Sequence, residues 1–321
     1  MAKAFASQAD TAEKSITFSR LGEHAYAFTA GGDPNTGIVV GDDAVMVVDA
    51  QATPRRAEAV IERVRSVTDK PIQYVVLTNY HAACALGASA YGAPHIVCSE
   101  GTRELIVERG AQDYKSELQR FPRLFQAAET VPGLTSPTVT FSDRLTLWLG
   151  KLQVDIIHAG RGHTKGDTVV WLPEERTLFS GDLVEHGVAP YAGDAHCRDW
   201  PQALQKLREL NPLALLPGRG DALVGEEEVA KGIAGTDAFV GELFRTVSAS
   251  AAAGESLKHA YDKAMAALQP RFGNWVIFED CLPFSVSRAY DEAQGLDHPR
   301  IWTAERDLEV WAALEGASGP T

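Results

Sequence analysis

Short apolar and β-branched runs, punctuated by Gly, Asp and Pro, recur in two blocks of this chain, and helical sequence follows each block. A sheet must bury at least one apolar face. Two such blocks with flanking helices therefore predict two sheets packed face to face with helices outside. In the first block, residues 25–28, 37–40 and 44–48 are separated by "GGDPNT" and "GDD" turns, which predicts antiparallel hairpins. A helix should follow, with Thr53 as N-cap, Pro54 at its first position, and Ala57, Val60, Ile61, Val64 and Val67 on one apolar face. "IQYVVL" reads as a buried strand, and a polar amphipathic helix is expected over residues 100–125. The second block runs through "TVTF", "RLTLWL", "LQVDIIHA", "DTVVWL", "TLFSGD" and "ALLPGRGDAL". From Gly225 the pattern turns helical. The expected organisation is a flexible lead-in over 1–14, an α/β sandwich over 15–224 and a helical C-terminal extension over 225–321.

Charge and composition narrow the partners. The formal charge is −13, from 43 acidic and 30 basic residues. Nucleic acid and anionic membrane need a basic stripe and are disfavoured, so a small-molecule substrate is expected. No run approaches the roughly 18 consecutive apolar residues of a membrane span. "MAKAFASQADTAEK" lacks an apolar segment and carries Asp10 and Glu13, and the four cysteines have no paired spacing. A cytoplasmic protein with reduced thiols is the expectation.

Four loops stand at the C-terminal ends of strand-like runs: residues 78–87, 159–168, 179–186 and 217–221. Loops in that position gather ligands in open sheets. Together they present His81, Cys84, His163, Asp182, His186 and Arg219. Two imidazoles and one carboxylate can hold zinc or iron with coordination positions left open. The remaining histidines His24, His95, His158, His259 and His298 have no supporting motif. His196 stands at the end of the "GDLVEHGVAPYAGDAH" loop and reads as an exposed loop residue.

The order of these loops resembles the metallo-β-lactamase superfamily, and the αββα sandwich is the fold that resemblance implies. "TGIVVGDDAVMVVDAQATP" is similar to the family's first hairpin and its aspartate-ended strand. "GHTKGDTVVWLPEERTLFSGD" is similar to its Gly-His-Thr segment followed by Ser-Gly-Asp. The family's metal loop reads His-x-His-x-Asp-His, and this chain departs from it. Asn79 falls on the first histidine, His81 on the second, Ala83 on the aspartate and Cys84 on the last histidine. His163 and Asp182 match family ligands, whereas the final histidine of Pro-Gly-His-Gly is Arg219.

The resemblance therefore implies one divalent ion, zinc first and iron second, held by His81, His163 and Asp182. Hydrolysis of a small ester, lactone, thioester or amide is the implied reaction. Asp182, Arg219 and Cys84 are the catalytic candidates, and Asn79, Arg219 and His186 the candidates for substrate contact. A mononuclear iron oxygenase on the same ligands and a metal-free ligand-binding protein are the alternatives. Asp49 is expected to brace the metal loop. The aromatic-rich "GNWVIFEDCLPF" is expected either to cap the pocket or to make a dimer contact, with a homodimer through the C-terminal helices.

Overall fold

The computed structural model describes residues 12–315, so most of the lead-in expected over 1–14 lies outside the described residues. The first sheet has seven strands in sequence order: β1 (Ile16–Arg20), β2 (Ala25–Ala30), β3 (Thr36–Val40), β4 (Val45–Val48), β5 (Ile72–Val76), β6 (His95–Ser99) and β7 (Val139–Phe141). β1 to β4 form the expected antiparallel meander, and β4 to β7 are parallel. Parallel neighbours require crossovers. These carry α1 (Pro54–Val67), the four-residue turn α2 (Ala82–Ala85) and α3 (Glu100–Arg120).

The second sheet has six strands: β8 (Arg144–Leu149), β9 (Leu152–His158), β10 (Thr168–Leu172), β11 (Thr177–Glu185), β12 (Ala214–Arg219) and β13 (Leu223–Val224). All its pairings are antiparallel except β11 with β12, which are joined through α4 (Trp200–Glu209). The C-terminal helices α5 (Glu226–Ala252), α6 (Leu257–Phe272), α7 (Phe278–Ala293) and α8 (Ala304–Glu315) complete the chain.

Period-two burial makes the layers. Val39, Met46, Val48 and Val76 of the first sheet meet Val154, Ile156, Val170, Leu172 and Phe179 of the second. The opposite face of the first sheet packs on Ala57, Val60 and Val64 of α1. The opposite face of the second packs on α4 and on α5 to α7. The architecture is an αββα sandwich with a helical extension. The sheets approach closely at Gly37, where an added Cβ would lie 2.3 Å from the Phe179 ring. Phe179→Ala should therefore open a cavity and cost about 3–5 kcal/mol, read as a lower urea midpoint.

Thr53 caps α1 as expected, accepting from Arg56 N, and Pro54 opens the helix. α3 differs from expectation in two ways. It stops at Arg120 rather than near 125, and its polar residues Arg109, Asp113, Ser116, Glu117 and Arg120 are buried. The reason is tertiary. These side chains face the loops of both sheets and the C-terminal helices, not solvent.

Candidate metal centre

The metal loop is held from three directions. Asp49, in left-handed backbone at φ 62° directly after β4, accepts from Thr78 N at 2.9 Å and from Thr78 Oγ1 at 2.8 Å. Asn79 Oδ1 accepts from His81 N at 2.9 Å, while its Nδ2 donates to Asp182 Oδ2 at 2.9 Å. Asp113 Oδ2 and Glu117 Oε2 accept from Ala82 N and Ala83 N, each at 2.7 Å. The first amides of α2 thus receive their acceptors from α3, one turn apart.

His163 is placed by a tight turn in which Thr164 N and Oγ1 donate to the Asp167 carboxylate. Asp182 sits within β11 after Gly181, whose φ of 51° and closeness to Thr78 suit only glycine. Across from it, a Cβ on Gly218 would lie 2.0 Å from Asp182 Oδ1 and 2.7 Å from its backbone nitrogen. Gly218→Ala should push the Asp182 side chain and the β11 backbone aside, lowering both metal retention and the melting temperature. Metal analysis beside a thermal melt checks this.

His81, Cys84, His163, Asp182 and Arg219 line one cavity, joined by Glu117, Arg120, Glu185 and Tyr191. Ile277 and Cys281, from the aromatic-rich segment, close it, so that segment caps the pocket. The free room is small, enough for an ion or a water. His163 Nε2 lies 3.4 Å from Asp182 Oδ2, and the His81 and His163 rings are 4.9 Å apart. Six buried side-chain atoms of the lining residues have no hydrogen-bond partner among the described residues: His81 Nε2, both His163 nitrogens, Asp182 Oδ1, Glu185 Oε2 and Arg120 Nε. Such orphans are rare in proteins unless something binds them.

His81 divides its two nitrogens. Its Nδ1 is 3.5 Å from Glu117 Oε1 and 3.8 Å from Asp113 Oδ1, and its Nε2 is 3.9 Å from Asp194 Oδ2. Among the described residues, His81, Asp113 and Glu117 form the one set whose ligand atoms all lie within 4.8 Å of one another. The triad expected from sequence is therefore split. His163 and Asp182 are together, and His81 leans toward two carboxylates of α3.

Charge states follow from burial and neighbours. Burial alone would push the His81 pKa down, but Asp113, Glu117 and Asp194 outweigh it and hold it at about 9. Burial lowers His163 to about 4, with Asp182 opposing only in part, so it is neutral and able to ligate. Burial would raise Asp182, yet His163, Arg219, His81 and the Asn79 hydrogen bond hold it below the usual carboxylate range. Burial and the Asp182 charge push the Cys84 thiol well up, so without an ion it is not a thiolate nucleophile.

The other candidates are placed as follows. Asn79 spends both ends of its amide on the protein, as a brace for His81 and Asp182 rather than a substrate contact. The His186 ring is not on the cavity wall; its Nδ1 lies 3.9 Å from the Cβ position of Gly232 on α5. His196 is buried rather than exposed, and is also off that wall. Arg219 makes a single long hydrogen bond, Nη1 to Gly32 O at 3.3 Å, and no ion pair among the described residues. The sequence reading missed Asp113, Glu117 and Arg120. The signal was their spacing of four and three on one helix, a charged stripe where a solvent face was assumed.

A family model described as the metallo-beta-lactamase superfamily matches residues 29–219. The chain belongs to the metallo-β-lactamase superfamily. It is 25% identical over 219 residues to a metallo-beta-lactamase type 2 of Bacteroides fragilis, covering 64% of this chain and 80% of that protein. A metallo-beta-lactamase type 2 of Bacillus cereus is 24% identical over 220 residues, covering 64% and 77%. The fold is similar to the metallo-beta-lactamase from Pontibacter korlensis, at TM-score 0.55 and 20% identity, covering 68% of this chain and 98% of that one. The DIM-1 metallo-beta-lactamase gives TM-score 0.54 at 18% identity, covering 71% and 98%. At family level, membership places this chain among metal-dependent hydrolases. No helix among the described residues is long and apolar enough to cross a membrane.

Proposed function

We propose that this metallo-β-lactamase-fold chain is a hydrolase of small esters, lactones, thioesters or amides working with one divalent ion, zinc before iron. The observation that carries the reading is the convergence of unpartnered His81 Nε2, His163 and Asp182 Oδ1 on one buried cavity. One edge of the donor set fits an ion: the 3.4 Å between His163 Nε2 and Asp182 Oδ2 matches an edge of about 3.3 Å for a tetrahedron with zinc bonds near 2.0–2.1 Å. His81 has to turn from Asp113 and Glu117 to complete it. His81, His163 and Asp182 would hold the ion. A second ion is short of donors, since Ala83 and Arg219 stand where the family has an aspartate and a histidine.

When bound, such an ion supplies Lewis acidity toward a carbonyl and lowers the pKa of water. The chain's own groups prepare the place. Asn79 fixes Asp182 and the His81 backbone. Asp113 and Glu117 hold the His81 Nδ1 side, as carboxylates commonly do behind a metal-bound imidazole. Arg219 brings a permanent cation to the cavity for developing negative charge. Ile277 and Cys281 keep bulk water out, so substrate entry requires this cap to move. The test is turnover of chromogenic esters, thioesters, lactones and a β-lactam by zinc-loaded and chelator-treated protein. Metal-dependent cleavage of one class is expected, and equal rates in both preparations would refute the reading.

One observation favours a second reading. The closeness of His81, Asp113 and Glu117 offers an ion one imidazole and two carboxylates, a harder donor set suited to iron or manganese. Elemental analysis of protein purified without added metal, with oxygen consumption, distinguishes the two.

A further inference from the structure

Two pockets meet at one residue of the helical extension. The outer pocket is bounded by Gly31, Gly32, Leu124 and Val276. Its mouth faces solvent, with Gly31 exposed and Val276 44% exposed. The metal cavity adjoins it. Phe121, Arg219 and Ile277 line both pockets, so these three residues form the partition between them.

Ile277 holds that place in an unfavourable backbone. Its φ of 55° and ψ of 18° are left-handed, at the N-cap of α7. A β-branched side chain is strained there, whereas glycine is not. Such a conformation persists only where the surroundings fix it. Val276 N donates to Gly187 O, and Val276 O accepts from Ala189 N, each at 3.0 Å. The Trp275 ring lies 4.8 Å from that of Phe272 and stacks on Phe239. Ile277 O accepts from Cys281 N at 2.9 Å in the first turn of α7. Across the mouth, a Cβ on Gly32 would lie 3.0 Å from Val276 Cγ1, so Val276 closes against bare backbone. The chain thus keeps a bulky apolar side chain, against its backbone preference, where the two pockets touch.

We infer that the outer pocket is the substrate's entrance and that Ile277 is the gate into the metal cavity, passing slim, unbranched acyl groups. What passes rests on the hydrolase reading; the gate itself needs neither metal nor turnover. Closed, Ile277 and Phe121 set two apolar walls and leave room inside for little beyond an ion or a water. Opening breaks the two backbone hydrogen bonds to residues 187–189 and lets Ile277 return to an ordinary φ. Relief of backbone strain offsets part of that loss, which keeps opening a local event rather than an unfolding. Branching beside the carbonyl is rejected at Ile277, before the substrate reaches the ion.

The test reads access through a thiol, on chelator-treated full-length protein, so it can fail independently of the metal-dependent reaction. Cys84 is buried on the cavity wall, while Cys98 and Cys197 are buried away from it. Iodoacetamide labelling of each cysteine is followed by peptide mass analysis. Ile277→Gly removes the plug and suits the left-handed backbone. It should speed labelling of Cys84 about tenfold, in proportion to the open population, with Cys98 and Cys197 unchanged. Val276→Phe, at an exposed position facing Gly32, should narrow the mouth and slow Cys84 labelling. With zinc restored, Ile277→Gly should also raise kcat/KM for para-nitrophenyl trimethylacetate relative to the acetate ester. Parental Cys84 labelling in Ile277→Gly would overturn the gate, and so would acceleration of all three cysteines together. Unchanged labelling in Val276→Phe would overturn the entrance, and this variant decides alone if Ile277→Gly does not fold. An unchanged ester preference with faster Cys84 labelling would overturn the selectivity. Absence of any ester turnover would instead refute the hydrolase reading and leave the labelling result standing.

Discussion

Asp182→Asn should strip the protein of its ion, leaving metal content near zero where the parent carries at most one ion per chain. The substitution preserves shape but removes the one carboxylate that faces His163, 3.4 Å away. It also replaces an acceptor of the Asn79 amide by a group that can present a competing donor. His81→Ala and His163→Ala should abolish retention as well, because an imidazole bond is lost in each. Glu117→Gln is the informative partner. If Glu117 only steadies His81 through Nδ1, the neutral amide should weaken affinity by about 10–100-fold and leave the ion in place at high metal. If the ion instead sits among His81, Asp113 and Glu117, Glu117→Gln empties the site and Asp182→Asn does not. Elemental analysis of the four purified variants decides between the two ligand sets. Two ions within about 4 Å of each other, the usual spacing of a two-metal site, would overturn the single-ion reading.

Arg219→Lys should reduce turnover strongly while leaving the melting temperature almost unchanged. An arginine at this position can act as a fastener of the "PGRGD" loop, through Asp221, or as a cation facing the site. The fastener would show an ion pair, and Arg219 has none among the described residues, only the 3.3 Å contact to Gly32 O. The loop is held without it. Asn35 Nδ2 donates to Pro217 O at 2.9 Å and to Gly220 O at 2.8 Å, and Asn35 N donates to Gly218 O at 2.8 Å. Lysine keeps the charge but loses the planar fork. A charged hydrogen bond is worth about 1.5–3 kcal/mol, so kcat/KM should fall roughly 10- to 150-fold. Arg219→Ala should fall further with a melt still close to the parent. A large melting loss with unchanged turnover of the folded protein would return Arg219 to the loop.

Local chemistry made the scaffold legible. Thr53 and Pro54 open α1 because a cap and a fixed φ act within one turn. The "GGDPNT" and "GDD" turns made β2, β3 and β4 a meander. Alternating apolar runs made two sheets. Each of these signals needs only a few neighbouring residues. The pairing of His163 with Asp182, from "GHTKGDT" and "FSGD", was implied by the family resemblance and not by local chemistry. The helical tail was readable in the same way, but its cap over the pocket by Ile277 and Cys281 rested on contacts made far along the chain.

What the sequence by itself determined was the αββα sandwich, its helical extension, and the loops that bring His81, His163, Asp182 and Arg219 to one place. Tertiary structure alone decided which way His81 leans, that Cys84 stays a thiol, that His186 turns to α5, and that α3 buries its charged stripe. The physical reason is that a charged residue at helical spacing looks the same whether it faces water or a cavity. Only the elements packed against α3 remove the water, and that removal turns Asp113, Glu117 and Arg120 from a solvated face into the electrostatic wall of the site.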